Sequence, residues 1–157
     1  MMGGGQQQLQ QLSQELQALD EEIESLEGEV SDLNDEKDEI DEAVEAIETL
    51  ETGSTVQVPL GGDAYLRAEV QDIDEIVVSL GASYAAEQEQ GTAIETLRRK
   101  QDALDEEIAS IRGQIEELEE ESDEIEEQAM QAQQQMQQQQ MQQMQQMQGE
   151  GGDGDDE

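Results

Sequence analysis

The feature that most constrains this chain is a pair of long heptad repeats. From Leu9 onward, apolar residues recur in alternating steps of three and four, and the same spacing returns after Thr92. Such a/d patterns predict long helices with a narrow apolar seam rather than a globular core. We therefore expect one helix over residues 9–51 and a second over residues 92–136.

Local signals support these helix ends. Gly53 is placed to stop the first helix, and Thr92 to Glu95 fits a capping box at the start of the second. Lys37 interrupts the apolar series of the first helix, and the series of the second includes Gln101 and Ser122.

Between the helices the apolar period changes to two. Val56, Val58 and Leu60 alternate with more polar neighbours, which is typical of a half-buried strand. Three more strands of this kind, the weakest around Tyr84, predict two β-hairpins over residues 54–88. Gly61-Gly62-Asp63, Asp72-Ile73-Asp74 and Gly81-Ala82 supply the turns. Pro59 cannot donate to a ladder and should lie at a strand end or on an edge.

Charge limits the partners that this chain can have. Its 157 residues include 43 acidic and 6 basic side chains, a formal net charge of −37. Such a surface repels nucleic acid and anionic lipid, so neither is an expected partner. No apolar run approaches the roughly 20 residues that span a bilayer, and a cytoplasmic protein is expected. So much acidity, with only two lysines, indicates adaptation to concentrated salt.

Missing residue types exclude most chemistry. There is no Cys and no His, so thiolate nucleophiles, zinc-thiolate sites and the usual proton shuttle are absent. The carboxylates lie on exposed heptad flanks, where nothing shifts their pKa values toward acid–base work. We expect no enzyme activity, no catalytic residue, no cofactor and no metal site.

The two helices are expected to pair with each other in antiparallel orientation. The strands between them let the second helix return beside the first. Arg98 and Arg112 would then face a flank of the first helix that carries Asp41, Glu48 and, further out, Asn34. The opposite flank would bring Lys100 toward Glu36. Exposed pairs of this kind bias orientation more than they stabilise it.

The strands have an apolar face, and the sequence offers no further apolar element to cover it. We interpret this face and the open strand edges as an oligomerisation surface. An alternative is that the hairpins fold back onto the helix ends. The residues assigned to the surface are Val56, Val58, Leu60, Leu66, Val70, Ile76, Val78 and Leu80.

In the antiparallel register, Leu9 lies near Gln133, and seam residues there change from Ile and Leu to Ala and Met. Unbranched thioether side chains adapt to many shapes and suit a promiscuous apolar contact. Alternatively, the leucines are ordinary seam residues and the Gln/Met tract is filler. Residues 1–8 are expected to be flexible, and residues 137–157 to be a disordered Gln/Met-rich and acidic tail. The candidate contact residues are Leu9, Leu12, Leu16, Met130, Met136, Met141, Met144 and Met147.

The order helix, two hairpins, helix resembles the α-type subunit of archaeal prefoldin over about Leu9 to Met136. The discriminating residues are Val58-Pro59-Leu60-Gly61 and the run from Ile76 to Tyr84. The resemblance implies an α2β4 hexamer with β-type subunits, whose strands form an oligomeric β-barrel carrying six coiled coils. It also implies an ATP-independent chaperone whose tips hold unfolded polypeptides and pass them to a group II chaperonin.

Two other classes of protein remain as alternatives. A structural coiled-coil scaffold or tether would need the heptads but not the four strands. An acidic mimic of DNA would need its charges on a compact surface, whereas here they flank an extended seam.

Overall fold

The computed structural model describes residues 3–81 and 83–150. Along the chain, one long helix precedes two β-hairpins and a second long helix follows them. Helix α1 spans Gly3–Thr49 and helix α2 spans Gln90–Glu150. The chain divides into two compact units, residues 1–28 with 111–157 and residues 29–110. No helix in the described part of the chain has an apolar stretch long enough to cross a membrane.

The first unit is an antiparallel pair of helical segments. Its core consists of Leu12, Leu19 and Ile125, with Leu16, Leu118 and Ala129 packed against them. All six residues belong to the predicted seams. Leucines early in the chain therefore meet isoleucine and alanine late in the chain, as expected for the antiparallel register.

The second unit contains the other helical segments and the hairpins. Its segments are also antiparallel, because Lys37 forms an ion pair with Asp105 while Asp41, further along α1, pairs with Arg98. Val44 is 1% exposed, and Ile40, Ala93 and Ile108 are buried. Arg98 therefore faces the flank of α1 that carries Asp41, as predicted.

Each hairpin is a two-stranded antiparallel sheet. Strands β1 (Thr55–Gly61) and β2 (Ala64–Glu69) form the first, and β3 (Ile76–Gly81) and β4 (Tyr84–Gln88) form the second. The registers place Val58 opposite Leu66 and Val78 opposite Ala86. Pro59 lies opposite Tyr65 near the end of β1, as its missing N–H predicts.

The tight turn of the first hairpin explains its glycines. Gly62 has φ 59° and Asp63 has φ 62°, the two positive values of a type I′ turn, and Gly61 has φ 96° at the irregularity before it. In the loop between the hairpins, Asp72 accepts a hydrogen bond on its side chain from the N–H of Asp74, at 3.0 Å. The predicted turns at these positions are confirmed.

The helices are longer than the sequence predicts. Helix α1 begins at Gly3, so most of the segment expected to be flexible is helical. Helix α2 runs to Glu150, well past the predicted end at Met136. Gln and Met are good helix formers and no Gly or Pro interrupts the chain between Gly113 and Gly149, so backbone propensity continues the helix without a seam. Of the predicted disordered tail, only residues 151–157 lie outside the described residues.

The predicted start of α2 is also wrong. Thr92 lies inside the helix, and the N–H of Ala93 already donates to the carbonyl of Glu89 at 2.8 Å. Helix α1 ends at Thr49, so Gly53 does not stop it directly. Instead, Gly53 has φ 90° and donates its N–H to the carbonyl of Val70, which joins the helix end to the first hairpin.

Candidate functional site

A groove of about 380 Å³ lies between the two helical segments of the first unit. Three of the predicted contact residues, Leu9, Leu16 and Met130, line it together. Helix α1 supplies the leucines from seam positions one heptad apart, and α2 supplies Met130 from the flank of its seam. Its other lining residues are Ser13, Glu126, Ala129 and Gln133. The lining combines apolar side chains with polar ones, and such a groove can take up an apolar side chain.

Leu12 is placed differently from the other predicted contact residues. It is 7% exposed and packs with Leu19 and Ile125 in the core of the unit. A side chain buried in this way holds the helices together and offers no surface to a ligand. For Leu12, the structure therefore supports the interpretation as an ordinary seam residue.

The methionines near the end of α2 form an exposed row. Met141, Met144 and Met147 recur every three residues and are 71%, 72% and 80% exposed. Side chains three positions apart on a helix are neighbours, so these thioethers lie close together along its surface. We call these three residues the methionine row.

Met136 marks the level at which α1 begins to accompany α2. A Cβ placed on Gly5 would lie 3.1 Å from both Cγ and Sδ of Met136, so the glycine leaves room for this side chain. Met136 is consequently half-buried, unlike the methionine row. Met130 and Met136 therefore lie beside α1, whereas the three residues of the methionine row are largely exposed.

The predicted oligomerisation residues also divide into two groups. Val78 is 5% exposed, and Val56, Val70 and Ile76 are half-buried within the chain. Val58, Leu60, Leu66 and Leu80 remain exposed. Part of the apolar face of the hairpins is therefore buried within the single chain, while four large side chains are left uncovered. The oligomerisation surface itself stays a prediction.

A polar network, which the heptad pattern marked only as interruptions, crosses the helices of the second unit. Gln101 donates from Nε2 to the carbonyl of Lys37 at 3.0 Å and to Oδ1 of Asp41 at 2.7 Å. Arg98 donates from Nη1 to the same Asp41 oxygen at 2.7 Å and to Oε1 of Gln101 at 2.6 Å. The hydrogen bonds from Gln101 and Arg98 lower the pKa of Asp41 below its ordinary value of 3.8.

Gln90 is a structural residue that the sequence analysis missed. Its side-chain Nε2 donates to the carbonyl of Ile47 at 2.7 Å, and its backbone N–H donates to Oδ1 of Asp74 at 3.4 Å. One residue thus satisfies an orphan carbonyl at the end of α1 and receives a cap for the start of α2. The only signal in the sequence is a glutamine near the predicted start of a helix, which is too common to predict such a contact.

The described residues hold no cluster of three or more acidic side chains arranged around a possible metal ion. Within the same residues, the hydrogen bonds that shift the pKa of Asp41 are structural and join two helices. The geometry therefore supports apolar contact surfaces, in the groove, on the methionine row and on the hairpins.

Comparison with known proteins identifies similar sequences. The Prefoldin family, described as "Prefoldin subunit", matches residues 19–142. Prefoldin subunit alpha of Halorubrum lacusprofundi is 69% identical over 108 residues, which cover 69% of this chain and 71% of the relative. The subunit of the same name from Haloquadratum walsbyi is 67% identical over 67% of this chain and 69% of its own length. That from Halobacterium salinarum is 60% identical, over 74% and 71%.

A solved structure has a similar fold. The cryo-EM structure of filamentous PFD from Methanocaldococcus jannaschii aligns with a TM-score of 0.50 and 24% identity, covering 76% of this chain and 95% of that chain. At this identity the likeness concerns the fold, two long helices joined by small hairpins.

Proposed function

Because this chain belongs to the prefoldin family, as an archaeal α-type subunit of halophile type, we propose that it is part of an ATP-independent holdase. The family is one of chaperones and not of enzymes. In our proposal the first unit contacts unfolded polypeptides, the hairpins hold the complex together, and the bound polypeptide passes to a group II chaperonin in the cytoplasm.

The observation that carries the proposal is the exposure of the methionine row. Three large apolar side chains are more than two-thirds exposed on a highly charged protein, where scattered polar residues would be cheaper to solvate. Thioether chains adapt to irregular apolar partners because they are unbranched and have three rotatable bonds. Each methionine could bury surface worth on the order of 1–2 kcal/mol against an unfolded chain.

The groove lined by Leu9, Leu16 and Met130 adds a second contact of the same chemistry. Contacts this weak exchange rapidly when they act singly. Several subunits acting on one polypeptide raise the effective concentration of each contact, so a holdase of this kind requires assembly.

Assembly is assigned to the hairpins. The uncovered side chains Val58, Leu60, Leu66 and Leu80 and the unpaired strand edges support a surface that needs partner strands. We propose that β-type prefoldin subunits supply them in an α2β4 hexamer, in which the strands close into a β-barrel.

The test uses the assembled complex in molar KCl. The triple variant Met141→Gln, Met144→Gln and Met147→Gln keeps length and helix propensity but removes the apolar row. We expect it to form the same complex and to suppress aggregation of a diluted, denatured client less well, as measured by light scattering. Suppression is expected to fall only in part, because the groove and the β-type subunits still bind.

The matched control changes the same number of residues on the same stretch of helix. Gln142→Ala, Gln145→Ala and Gln148→Ala should leave suppression at the parent level. If the methionine variant assembles and protects like the parent, the methionine row is not a client contact. The role of this subunit would then be architectural, as in the scaffold alternative.

A further inference from the structure

The last part of α2 takes all of its apolar surface from one type of residue. Between Gln137 and Gln148 every residue is Gln or Met, so the methionine row supplies the apolar side chains of this stretch. All three side chains are more than two-thirds exposed. The chain has no Cys, so thioethers are its only oxidisable sulfur groups. A single kind of chemical reaction therefore reaches the whole apolar surface of this stretch.

Oxidation by a peroxide converts a thioether into a polar side chain. The sulfur attacks one peroxide oxygen, an S–O bond forms and the O–O bond breaks. Hydrogen peroxide leaves as water, which keeps both protons. The sulfur loses two electrons and the peroxide gains them. Three such reactions would leave residues 137–148 with polar side chains alone.

We propose that the methionine row is a modification site, at which peroxides form methionine sulfoxide and so weaken the contact with unfolded polypeptides. The modification rests on the exposure of the row alone, whereas its effect on the contact rests on the proposed function. The change is reversible, because sulfoxide reductases return methionine sulfoxide to the thioether. The groove is less sensitive, because Leu9 and Leu16 supply part of its apolar lining and have no sulfur.

Met136 provides an internal comparison for the modification. It is half-buried, and its Sδ would lie 3.1 Å from a Cβ placed on Gly5, so this sulfur lies against α1. The side chains of the methionine row are largely exposed. Because access to the sulfur governs its oxidation, limiting peroxide should oxidise the row several-fold faster than Met136.

The test compares two assembled complexes in molar KCl that differ only in this subunit. One contains the parent chain, and the other contains Met141→Leu, Met144→Leu and Met147→Leu, which keeps the row apolar but cannot form a sulfoxide. Both are treated with hydrogen peroxide, and catalase removes the oxidant before a denatured client is added. Oxidation of the other subunits is common to both complexes and cancels in the comparison.

Fragmentation mass spectrometry locates each added oxygen, and light scattering measures suppression of aggregation. The parent complex should lose more suppression than the leucine complex. The difference should equal the loss shown without oxidant by the glutamine variant Met141→Gln, Met144→Gln and Met147→Gln. Treatment of the oxidised parent complex with a sulfoxide reductase and a dithiol should remove this difference.

Oxidation of Met136 as fast as the row would overturn the proposed site. The effect on contact is overturned if the parent complex, with its row oxidised, and the leucine complex lose suppression equally while the untreated glutamine variant suppresses less than the parent. In that case the client contact stands and only its control by oxidation fails. If the glutamine variant suppresses like the parent, the client contact itself fails, and its control by oxidation fails with it.

Discussion

At the scale of residues, a few side chains form hydrogen bonds between elements and so fix where those elements lie relative to each other. Gln90 bonds to the end of α1, and Gln101 bonds to α1 at the level of Lys37. Glycines act differently, because they have no side chain and leave space for a neighbouring group. Gly5 makes room for Met136, whereas Gly28 and Gly113 make room for nothing in the described chain within 4 Å.

We predict that Gly28→Ala and Gly113→Ala each stabilise the protein. Both positions are helical, and no atom of the described chain would contact the added methyl group. Alanine is favoured over glycine in a helix interior by about 1 kcal/mol. Thermal unfolding followed by circular dichroism should show a higher Tm for each variant. A lower Tm for either variant would mean that the position is not a plain helix interior.

The lowered pKa of Asp41 predicts a pH dependence. Because its folded pKa lies below its ordinary value of 3.8, the ionised carboxylate stabilises the fold above that value, and this stabilisation is lost as pH falls through the folded pKa. Asp41→Asn should therefore unfold at a lower temperature than the parent near neutral pH, and the difference should shrink in acid. Melts in molar KCl between about pH 7 and pH 3 measure it. A difference that is constant with pH would contradict the assignment.

At the scale of elements, the hairpins are the parts that we propose to join other chains. Each is a two-stranded sheet, and isolated hairpins are marginally stable in water. Their apolar faces are covered unevenly within the chain, completely at Val78 and least at Leu60. Buried side chains such as Val78 stabilise the single subunit, and exposed ones such as Leu60 are available to a partner.

We predict that Leu60→Asp with Leu66→Asp prevents assembly and leaves the subunit folded. Both side chains are exposed in the single chain, so the charges meet water there but would be buried in a complex. Light scattering should show a smaller particle with unchanged helicity. Val77→Asp is the control, because Val77 is 66% exposed but belongs to the opposite, alternating face of its strand. An unchanged particle mass for the double variant would contradict a role of this face in assembly.

How much of this could be predicted from the sequence depends on the range of the interaction. Heptad spacing, alternation and turn residues are local, so the helices, hairpins and antiparallel pairing follow from them. The heptad pattern does not predict the extension of α2 to Glu150, because this part of the helix has no apolar seam. The helix propensity of Gln and Met is sufficient to continue it. The bonds of Gln90 and Gln101 join residues more than 40 positions apart, and only the final register brings them together.

At the scale of the whole molecule, negative charge is the main electrostatic term that opposes folding. A net charge of −37 on 157 residues makes repulsion between the two helices a major opponent of folding. Salt screens it, with a Debye length of about 10 Å at 0.1 M and about 3 Å at 1 M. The similar subunits from Halorubrum, Haloquadratum and Halobacterium agree with a halophilic chain.

We predict that helicity rises strongly with salt. Between Glu15 and Glu29 helix α1 carries no basic residue, and the segment of α2 after Arg112 is equally acidic. Far-UV circular dichroism at about 0.1 M and at about 1 M KCl should show the increase. An equal concentration of a neutral osmolyte is the control for general stabilisation. Full helicity at the lower salt concentration would contradict the argument from charge.

The central claim is that unfolded polypeptides contact the exposed methionines of α2, and site-specific photo-crosslinking tests it most directly. A photoreactive residue is placed at Met144, which is 72% exposed, or at Asp102, an exposed position in the second unit. The assembled complex is irradiated in molar KCl with a labelled, denatured client. The account predicts strong labelling from position 144 and background labelling from position 102. Equal labelling from both positions, or none from position 144, would contradict it.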